Sequence, residues 1–154
     1  MSLGAAGFFL EEDKAFFISG DGVDSSWIYS YNGAEFTFLR ADYLCPYSRL
    51  WAKDTNTLFL IAGRKGNINA RLMKYNNVTK NNEVLYSFPA DRGDPIAIKS
   101  RDNNIFFVLT DCGDLYRWTE SQAKMDLVYE ASVSDYNYFG EDLIVVDNNN
   151  VITC

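Results

Sequence analysis

The sequence predicts an all-β protein built from repeated four-stranded antiparallel units, and three observations support this prediction. A short apolar run recurs at residues 15–20, 58–63 and 105–110, with a weaker copy at 143–147. The starts of these runs lie 43, 47 and 38 residues apart, and an acidic turn precedes each run. No window of ten or more residues keeps the 3.6-residue period of a helix. A nearly fixed period of this length is typical of a repeat architecture.

The first two strands of each unit are predicted from the apolar runs and from the segments before them. Short apolar segments precede the runs at residues 7–10, 49–52 and 96–99. A strand that is buried on both faces has a continuous apolar sequence, so each run is expected near the middle of its sheet. The residues that we expect in the core are Phe17, Ile18, Leu60, Ile61, Phe107, Val108 and Val145.

The third and fourth strands are predicted from segments that alternate between apolar and polar residues and are rich in aromatic residues. They are expected at residues 27–31, 71–75 and 114–118 for the third strands, and at 35–39, 83–88 and 126–129 for the fourth. Each third strand ends on an aromatic side chain, so Tyr31, Tyr75 and Trp118 are expected at equivalent positions. Glycine, asparagine and aspartate turns join the strands.

These segments form repeats at about residues 7–40, 47–88, 95–131 and 135–154 of a single domain, residues 1–154, and the last repeat is incomplete. Four-stranded units of about 40–50 residues are typical of the blades of a β-propeller. The chain is therefore predicted to be a propeller, or a fragment of one, with about 3.5–4 blades. A β-sandwich with many hairpins is the alternative, but a sandwich gives no reason for the sequence to repeat.

The repeats resemble kelch repeats in part. The kelch pattern has a run of apolar residues that ends in a small residue and glycine, followed by a tyrosine at the end of the next strand. The matching residues are Ser19, Gly20 and Tyr31 in repeat one, and Ala62, Gly63 and Tyr75 in repeat two. The kelch double glycine is absent, and repeat three has Thr110, Asp111 and Trp118 instead. The resemblance implies a propeller scaffold and no particular substrate or partner.

Composition and charge limit the partners. The 154 residues are 47% hydrophobic and 16% aromatic, and their formal net charge is −7. A strongly acidic chain repels polyanions, so we expect no nucleic-acid partner. The apolar runs are too short for a membrane-spanning helix, so we expect no membrane span. Cys45, Cys112 and Cys154 are an odd set without close spacing, which argues against a disulfide framework and favours a reducing compartment such as the cytoplasm.

The absence of histidine from the sequence limits the chemistry. It removes the most common general base and the usual catalytic zinc ligands. The sequence also has no phosphate-binding glycine loop, and we expect no cofactor and no metal. Residues 111–116 resemble part of the Asp-box of sialidase-type propellers, in which the box is a structural hairpin. Carboxylate acid–base pairs leave one enzymatic alternative open, a fragment of a carbohydrate-active propeller enzyme.

One loop face is the expected binding surface. In a four-stranded blade, the loop between strands two and three and the loop to the next blade lie on the same side. Binding residues tend to lie on such loops, and tyrosine and arginine are enriched at interaction hot spots. The candidate binding residues are Tyr43, Tyr47, Arg64, Lys65, Asp91, Arg92, Asp111, Tyr136 and Tyr138. For each of them a solvated turn is the alternative, and no catalytic residue is assigned.

The sequence therefore predicts a non-catalytic module that docks a protein or glycan through this loop face. Because the fourth repeat stops before its outer strand, two apolar blade faces are expected to meet water. We expect a homodimer that closes the ring, or a larger propeller of which this chain is a part. A closed ring of four blades is the alternative.

Overall fold

The computed structural model describes residues 6–11, 13–20, 25–42, 47–63, 69–131, 143–147 and 150–153. Within these ranges the chain forms fourteen strands and one turn of 3-10 helix, Glu120–Gln122. None of these ranges contains a helix of the length and apolarity that a membrane crossing requires. The chain divides into two compact units, Met1–Ser87 and Phe88–Cys154.

The first unit contains two four-stranded antiparallel sheets, blades 1 and 2. Blade 1 consists of β1 (Ala6–Glu11), β2 (Lys14–Gly20), β3 (Ser26–Tyr31) and β4 (Phe36–Asp42). Blade 2 consists of β5 (Tyr47–Ala52), β6 (Thr57–Ala62), β7 (Arg71–Asn76) and β8 (Asn81–Ser87). In both blades each strand pairs with the next strand of the chain, so short turns are sufficient to connect them.

The second unit contains a third sheet of the same kind and part of a fourth. Blade 3 consists of β9 (Pro95–Ser100), β10 (Ile105–Thr110), β11 (Leu115–Thr119) and β12 (Lys124–Tyr129). A hairpin follows, formed by β13 (Leu143–Val145) and β14 (Val151–Thr153). The predicted all-β fold of three four-stranded blades and a partial fourth is confirmed.

The strand register shows which residues are equivalent in the three blades. The residue that pairs with the aromatic side chain at the end of the third strand is Ala15 for Tyr31, Leu58 for Tyr75 and Phe106 for Trp118. We align the three blades on these aromatic residues, which the sequence predicts to be equivalent. The third apolar run, however, is equivalent to the other two from Phe106 and not from Ile105. A shift of one residue matters, because it exchanges the two faces of a strand.

The core of the first unit lies between its two blades. Phe16 and Ile18 of β2 and Ile28 of β3 point from blade 1 towards blade 2, where they join Leu58 and Leu60 of β6. All five side chains are buried. Phe59 and Ile61, on the opposite face of β6, are buried as well. The second strand of blade 2 is therefore buried on both faces, as its continuous apolar sequence predicts.

The core of the second unit joins blade 3 to the hairpin. Phe107 and Leu109 of β10 and Ala97 of β9 form a buried cluster with Leu143 of β13. Strand β13 contacts β9 and β10, as the first strand of blade 2 contacts the first two strands of blade 1. The hairpin therefore covers one face of blade 3 at strands β9 and β10.

Five of the seven predicted core residues are buried, and two are not. The buried ones are Ile18, Leu60, Ile61, Phe107 and Val108. Phe17 is only half-buried, because it lies on the face of blade 1 that points away from blade 2. Val145 is also half-buried, because it lies at the end of a three-residue strand in a two-stranded sheet.

Candidate functional site

Two loops of blade 3 represent the predicted loop face in the described part of the chain: residues 89–94 and the turn 111–114 between β10 and β11. Reciprocal hydrogen bonds connect them. The Asp94 N–H donates to Asp111 Oδ1 at 2.8 Å, and the Asp111 N–H donates to the Asp94 carbonyl at 2.9 Å. These two bonds fix the register of one loop on the other. We call this pair of loops the blade 3 loop cluster.

Gly93 lies where the two loops approach most closely. Its φ of +76° is in the left-handed region that favours glycine. A Cβ at this position would lie 2.2 Å from Asp111 Oδ1 and 2.6 Å from Cys112 Sγ. A side chain at position 93 would therefore force the Asp111 and Cys112 side chains to shift.

Arg92 is held by two carboxylates. Its Nη1 forms an ion pair and hydrogen bond with Glu130 Oε1 and lies 3.5 Å from Asp114 Oδ2. The hydrogen bond to Glu130 is the main reason that the pKa of Arg92 is raised above its usual value. Arg92 thus joins the loop before blade 3 to the end of its outer strand.

Asp114 is buried, and its carboxylate accepts a hydrogen bond from the backbone. It is 3% exposed, and its Oδ1 accepts a hydrogen bond from the Ala131 N–H at 2.9 Å. Its own N–H donates to Thr110 Oγ1 at 3.1 Å. A buried carboxylate with these partners stabilises the turn, as buried polar groups require hydrogen bonds.

Cys112 is a half-buried free thiol in the same turn. Burial, followed by the negative charge of Asp111 and a hydrogen bond to it, raises the pKa of the Cys112 thiol above its usual value. A thiol with a raised pKa carries little of the reactive thiolate at neutral pH. The surroundings of Cys112 therefore do not activate it as a nucleophile.

The structure brings together three of the predicted binding residues. Asp91, Arg92 and Asp111 all belong to the blade 3 loop cluster. Asp91 is exposed, whereas Arg92 and Asp111 make the contacts that hold the cluster together. The backbone of Tyr47 lies in β5, and its side chain is outside the described residues. Also outside them are Tyr43, Arg64, Lys65, Tyr136 and Tyr138.

Metal ligands and a small cleft are the other candidate features of the described residues. In the ranges that the structure describes, no group of three or more cysteine, aspartate or glutamate side chains could hold a metal ion. The first unit has a cleft of about 210 Å³, lined among others by Lys14, Tyr31, Thr55 and Asn77. Lys14 is paired with Glu11, and Asn77 Nδ2 donates to the Thr55 carbonyl at 3.1 Å. The cleft is smaller than most ligand pockets, which have volumes of about 300–1,000 Å³.

Blade 1 carries an exposed aromatic face that the sequence analysis missed. Phe17 contacts Phe36 with ring centroids 5.5 Å apart, Tyr31 contacts Phe36 at 4.9 Å, and Tyr29 contacts Phe38 at 5.7 Å. Phe36 is 63% exposed and Phe38 is 54% exposed. We call these five side chains the aromatic face. The alternation of aromatic residues in β3 and β4 could have indicated it, because residues two apart share one face of a strand.

The hairpin of the second unit carries a smaller exposed apolar face. Ile144 of β13 and Ile152 of β14 are paired across the hairpin, and each is 53% exposed. They point away from Leu143, which packs on blade 3. We call this pair the isoleucine face.

Comparison with known proteins shows the fold. No family model matches the chain, and no curated protein matches it. The N-terminal domain of Nup159 matches with a TM-score of 0.54 and 14% identity, over 93% of this chain and 36% of that chain. Puromycin hydrolase, in an S511A mutant complexed with PGG, matches with a TM-score of 0.62 and 11% identity, over 92% of this chain and 23% of that chain. A solved complex of S. cerevisiae Dbp5 bound to Nup159, Gle1, IP6 and ADP matches with a TM-score of 0.53 and 11% identity, over 90% of this chain and 35% of that chain.

These solved structures are β-propeller-type folds, and the present chain has the same type of fold. This chain spans 36% of the length of the Nup159 domain, 23% of puromycin hydrolase and 35% of the matched chain of the Dbp5 complex. Identities of 11–14% show a shared fold and nothing about activity. The kelch type of the repeats stays a prediction, since no family model matches.

Proposed function

We propose that this chain is a non-catalytic interaction module that docks a protein through the loop face of its blades. The observation that carries the proposal is that several contacts fix the two loops of the blade 3 loop cluster to each other. The two loops are joined by the Asp94–Asp111 hydrogen bonds, by the close approach at Gly93 and by the ion pairs of Arg92. A surface that is already ordered loses little conformational entropy when it binds.

Charge and exposure indicate how the loop cluster would contact a partner. Asp91 is exposed beside Arg92, whose guanidinium is fixed by Glu130 and Asp114. A positioned arginine on a rigid surface is a common anchor of protein interfaces. The matched complex in which Dbp5 is bound to Nup159 supports a protein as the partner, because it includes a protein of this fold in a protein complex. Tyr43, Tyr47, Arg64, Lys65, Tyr136 and Tyr138 remain candidate residues of the same face.

The chemistry of the loop cluster does not favour the enzymatic alternative. A carbohydrate-active site needs a carboxylic acid that stays protonated and a second carboxylate across the scissile bond. Asp114 forms an ion pair with Arg92 and accepts a hydrogen bond from the Ala131 N–H. Asp111 accepts a hydrogen bond from the Asp94 N–H. Lys124 holds the pKa of Asp126, on the outer strand, below its usual value, so that Asp126 stays ionised.

Selection of peptides from a displayed library against the folded domain tests the proposal. The affinities of the selected peptides are then measured with Asp91→Arg, which reverses an exposed charge in the loop cluster. Glu83→Arg, which reverses an exposed charge on the outer strand of blade 2, is the matched control. We expect Asp91→Arg to weaken binding at least tenfold and Glu83→Arg to leave it unchanged.

A glycan array and a glycosidase panel complete the experiment. Glycan binding without peptide binding, if abolished by Asp91→Arg, would make a glycan the ligand of this face. Hydrolysis of a glycoside above the blank would favour the enzymatic alternative. Peptide affinities that Asp91→Arg and Glu83→Arg leave equally unchanged would remove the loop cluster as the docking surface.

A further inference from the structure

We propose that the cleft of the first unit binds a small apolar carboxylate, a ligand with a compact hydrocarbon body and one carboxylate group. The cleft is lined by Phe16, which packs in the core between blades 1 and 2. Residues of both blades form its walls, so both walls belong to the described chain. The proposal concerns a different part of the molecule from the loop cluster and does not depend on the proposed function.

The paired ends of β2 and β3 and two turns of blade 2 form the walls of the cleft. Blade 1 contributes residues 14–16 and 30–32, and blade 2 contributes Thr55 and Asn77. Ser30 pairs with Phe16 across β2 and β3, so the two side chains lie on the same face of blade 1. Phe16 is part of the core between the blades, and its ring gives the lining an apolar component.

Hydrogen bonds hold the blade 2 wall in place. The Asn77 N–H donates to the Asn56 carbonyl at 2.7 Å, and Asn77 Nδ2 donates to the Thr55 carbonyl at 3.1 Å. These two bonds connect the turn between β5 and β6 to the turn between β7 and β8. Asn77 Oδ1 accepts a third hydrogen bond from Lys80 Nζ at 2.6 Å. A wall that is already ordered loses little conformational entropy when a ligand binds.

The amide oxygens of the cleft are already used as acceptors. Asn32 Oδ1 accepts hydrogen bonds from the N–H groups of Ala34 at 3.1 Å and Glu35 at 3.0 Å. Asn77 Oδ1 accepts the bond from Lys80. These partners leave the two amide oxygens with little capacity for a ligand. A ligand that needs acceptors from the protein therefore fits this lining poorly.

The cleft does offer hydrogen-bond donors. Asn32 Nδ2 and the hydroxyls of Ser30 and Thr55 make no hydrogen bond with any group in the described part of the chain. Lys14 Nζ has three donor positions, and Glu11 Oε2 uses one of them at 2.7 Å. An ionised carboxylate only accepts hydrogen bonds, and its charge is opposite to that of Lys14. A carboxylate therefore complements the donors of this cleft.

The volume of the cleft sets the size of the ligand. Its volume of about 210 Å³ corresponds to about seven water molecules at the liquid-water share of ~30 Å³ each. Drug-sized ligands and cofactors need larger pockets, of about 300–1,000 Å³. A ring or a short branched chain that contacts Phe16 is small enough. Benzoate has such a body and one carboxylate, and it is the probe that we choose.

Titration of the isotope-labelled full chain with benzoate, followed by amide NMR spectra, tests the proposal. We expect saturable binding with a Kd on the order of 1 mM, as a ligand of this size allows. The largest shifts should occur in residues 14–16 and 30–32 and at Thr55 and Asn77. Benzamide, which has the same ring and no charge, should bind at least threefold more weakly.

The Glu11–Lys14 ion pair allows two variants with opposite expected effects. Lys14→Gln removes the positive charge and should weaken benzoate binding by about threefold, a typical effect for an exposed charge pair. Glu11→Gln removes a negative charge that competes for Lys14, so it should strengthen benzoate binding by a similar factor. Neither variant should change benzamide binding. Lys124→Gln is the matched control, because Lys124 is paired with Asp126 on the outer strand of blade 3.

A third variant fills the cleft. Ser30→Leu should abolish binding of both probes, whereas Ser87→Leu, at an exposed serine on β8, should not. Circular dichroism verifies that both variants are folded. No saturable benzoate binding up to about 20 mM, equal affinities for benzoate and benzamide, or weaker binding to Glu11→Gln would each overturn the proposal. An acetylated tripeptide with a C-terminal phenylalanine that binds more tightly than benzoate would overturn the small-molecule ligand in favour of a protein chain end.

Discussion

Tyr31 and Tyr75 occupy the same position in successive blades, but their hydroxyl groups have opposite surroundings. The Tyr31 hydroxyl donates a hydrogen bond to the Gly33 carbonyl at 2.8 Å near the protein surface. The Tyr75 side chain is fully buried, and its hydroxyl makes no hydrogen bond with any group that the structure describes. Burial raises the pKa of Tyr75. The positive charge of Arg40, whose Cζ lies 5.9 Å from the ring centroid, lowers this pKa by a smaller amount. The two positions are thus equivalent in strand register and differ in burial and in hydrogen bonding.

This difference predicts opposite effects of the same substitution. Tyr31→Phe removes a hydrogen bond and is expected to lower the free energy of unfolding by about 0.5–1.5 kcal/mol. Tyr75→Phe removes a buried group without a partner, so it is expected to leave stability unchanged or to raise it. Urea denaturation of the two variants measures both values. A loss above about 1 kcal/mol for Tyr75→Phe would mean that its hydroxyl has a hydrogen-bond partner, such as buried water.

Phe107 provides a test of the core of the second unit. It is buried among Ala97, Leu109 and Leu143, where blade 3 meets the hairpin. Phe107→Ala is expected to lower the free energy of unfolding by about 3–5 kcal/mol, because it removes a ring and leaves a cavity. Phe36→Ala is the control, since Phe36 is largely exposed in a single chain. A cost below about 1 kcal/mol for Phe107→Ala would contradict its central position.

The strands could be predicted from the sequence because their signal is local. Alternation, apolar runs and turn residues depend on near neighbours, and the observed strand ends lie within three residues of the predicted ones. The register of the third blade could not be predicted in this way. The sequences of the apolar runs align on Ile105, whereas pairing with Trp118 assigns the equivalent position to Phe106. Register is fixed by pairing across strands, which sequence similarity between repeats does not report.

Burial and the candidate site depended on contacts between distant segments. Phe17 and Phe107 both lie in apolar runs, but only Phe107 lies on a face that another sheet covers. Arg92 and Asp111 lie in neighbouring loops of one cluster, and their role in binding stays a prediction. Their partners were not predicted, since Glu130 lies 38 residues from Arg92 in the chain. A loop residue that binds a partner and one that holds its own loop have the same sequence signature.

The close approach at Gly93 predicts a backbone requirement in the loop cluster. Gly93→Ala is expected to lower the free energy of unfolding by about 1–3 kcal/mol, because an alanine is strained at this φ and its Cβ displaces Asp111 and Cys112. Gly33→Ala is a matched control with a φ of +88°, where the nearest atom to a Cβ would be Asp13 Cβ at 3.0 Å. Thermal unfolding should show the larger loss for Gly93→Ala. Equal losses would mean that the cost comes from the backbone angle alone and that Asp111 and Cys112 move aside at little cost in stability.

The carboxylates around Cys112 predict how its reactivity depends on pH. Burial is the largest cause of the raised thiol pKa, and the charge of Asp111 and its hydrogen bond come next. Alkylation requires the thiolate, so in the folded protein its rate should reach half of its maximum at a higher pH than in the unfolded protein. Asp111→Asn keeps an oxygen for the Asp94 N–H and removes the charge, so it should move this midpoint to lower pH.

Iodoacetamide labelling followed by mass spectrometry measures these rates in a Cys45→Ser, Cys154→Ser background, where Cys112 is the only thiol. Asp91→Asn is the control, because it removes an exposed charge of the same loop that does not contribute to the shift at Cys112. It should leave the midpoint in place, and unfolding in urea should bring all variants to the usual value. An Asp111→Asn midpoint equal to that of the folded wild type would show that Asp111 does not hold the thiol in its protonated form.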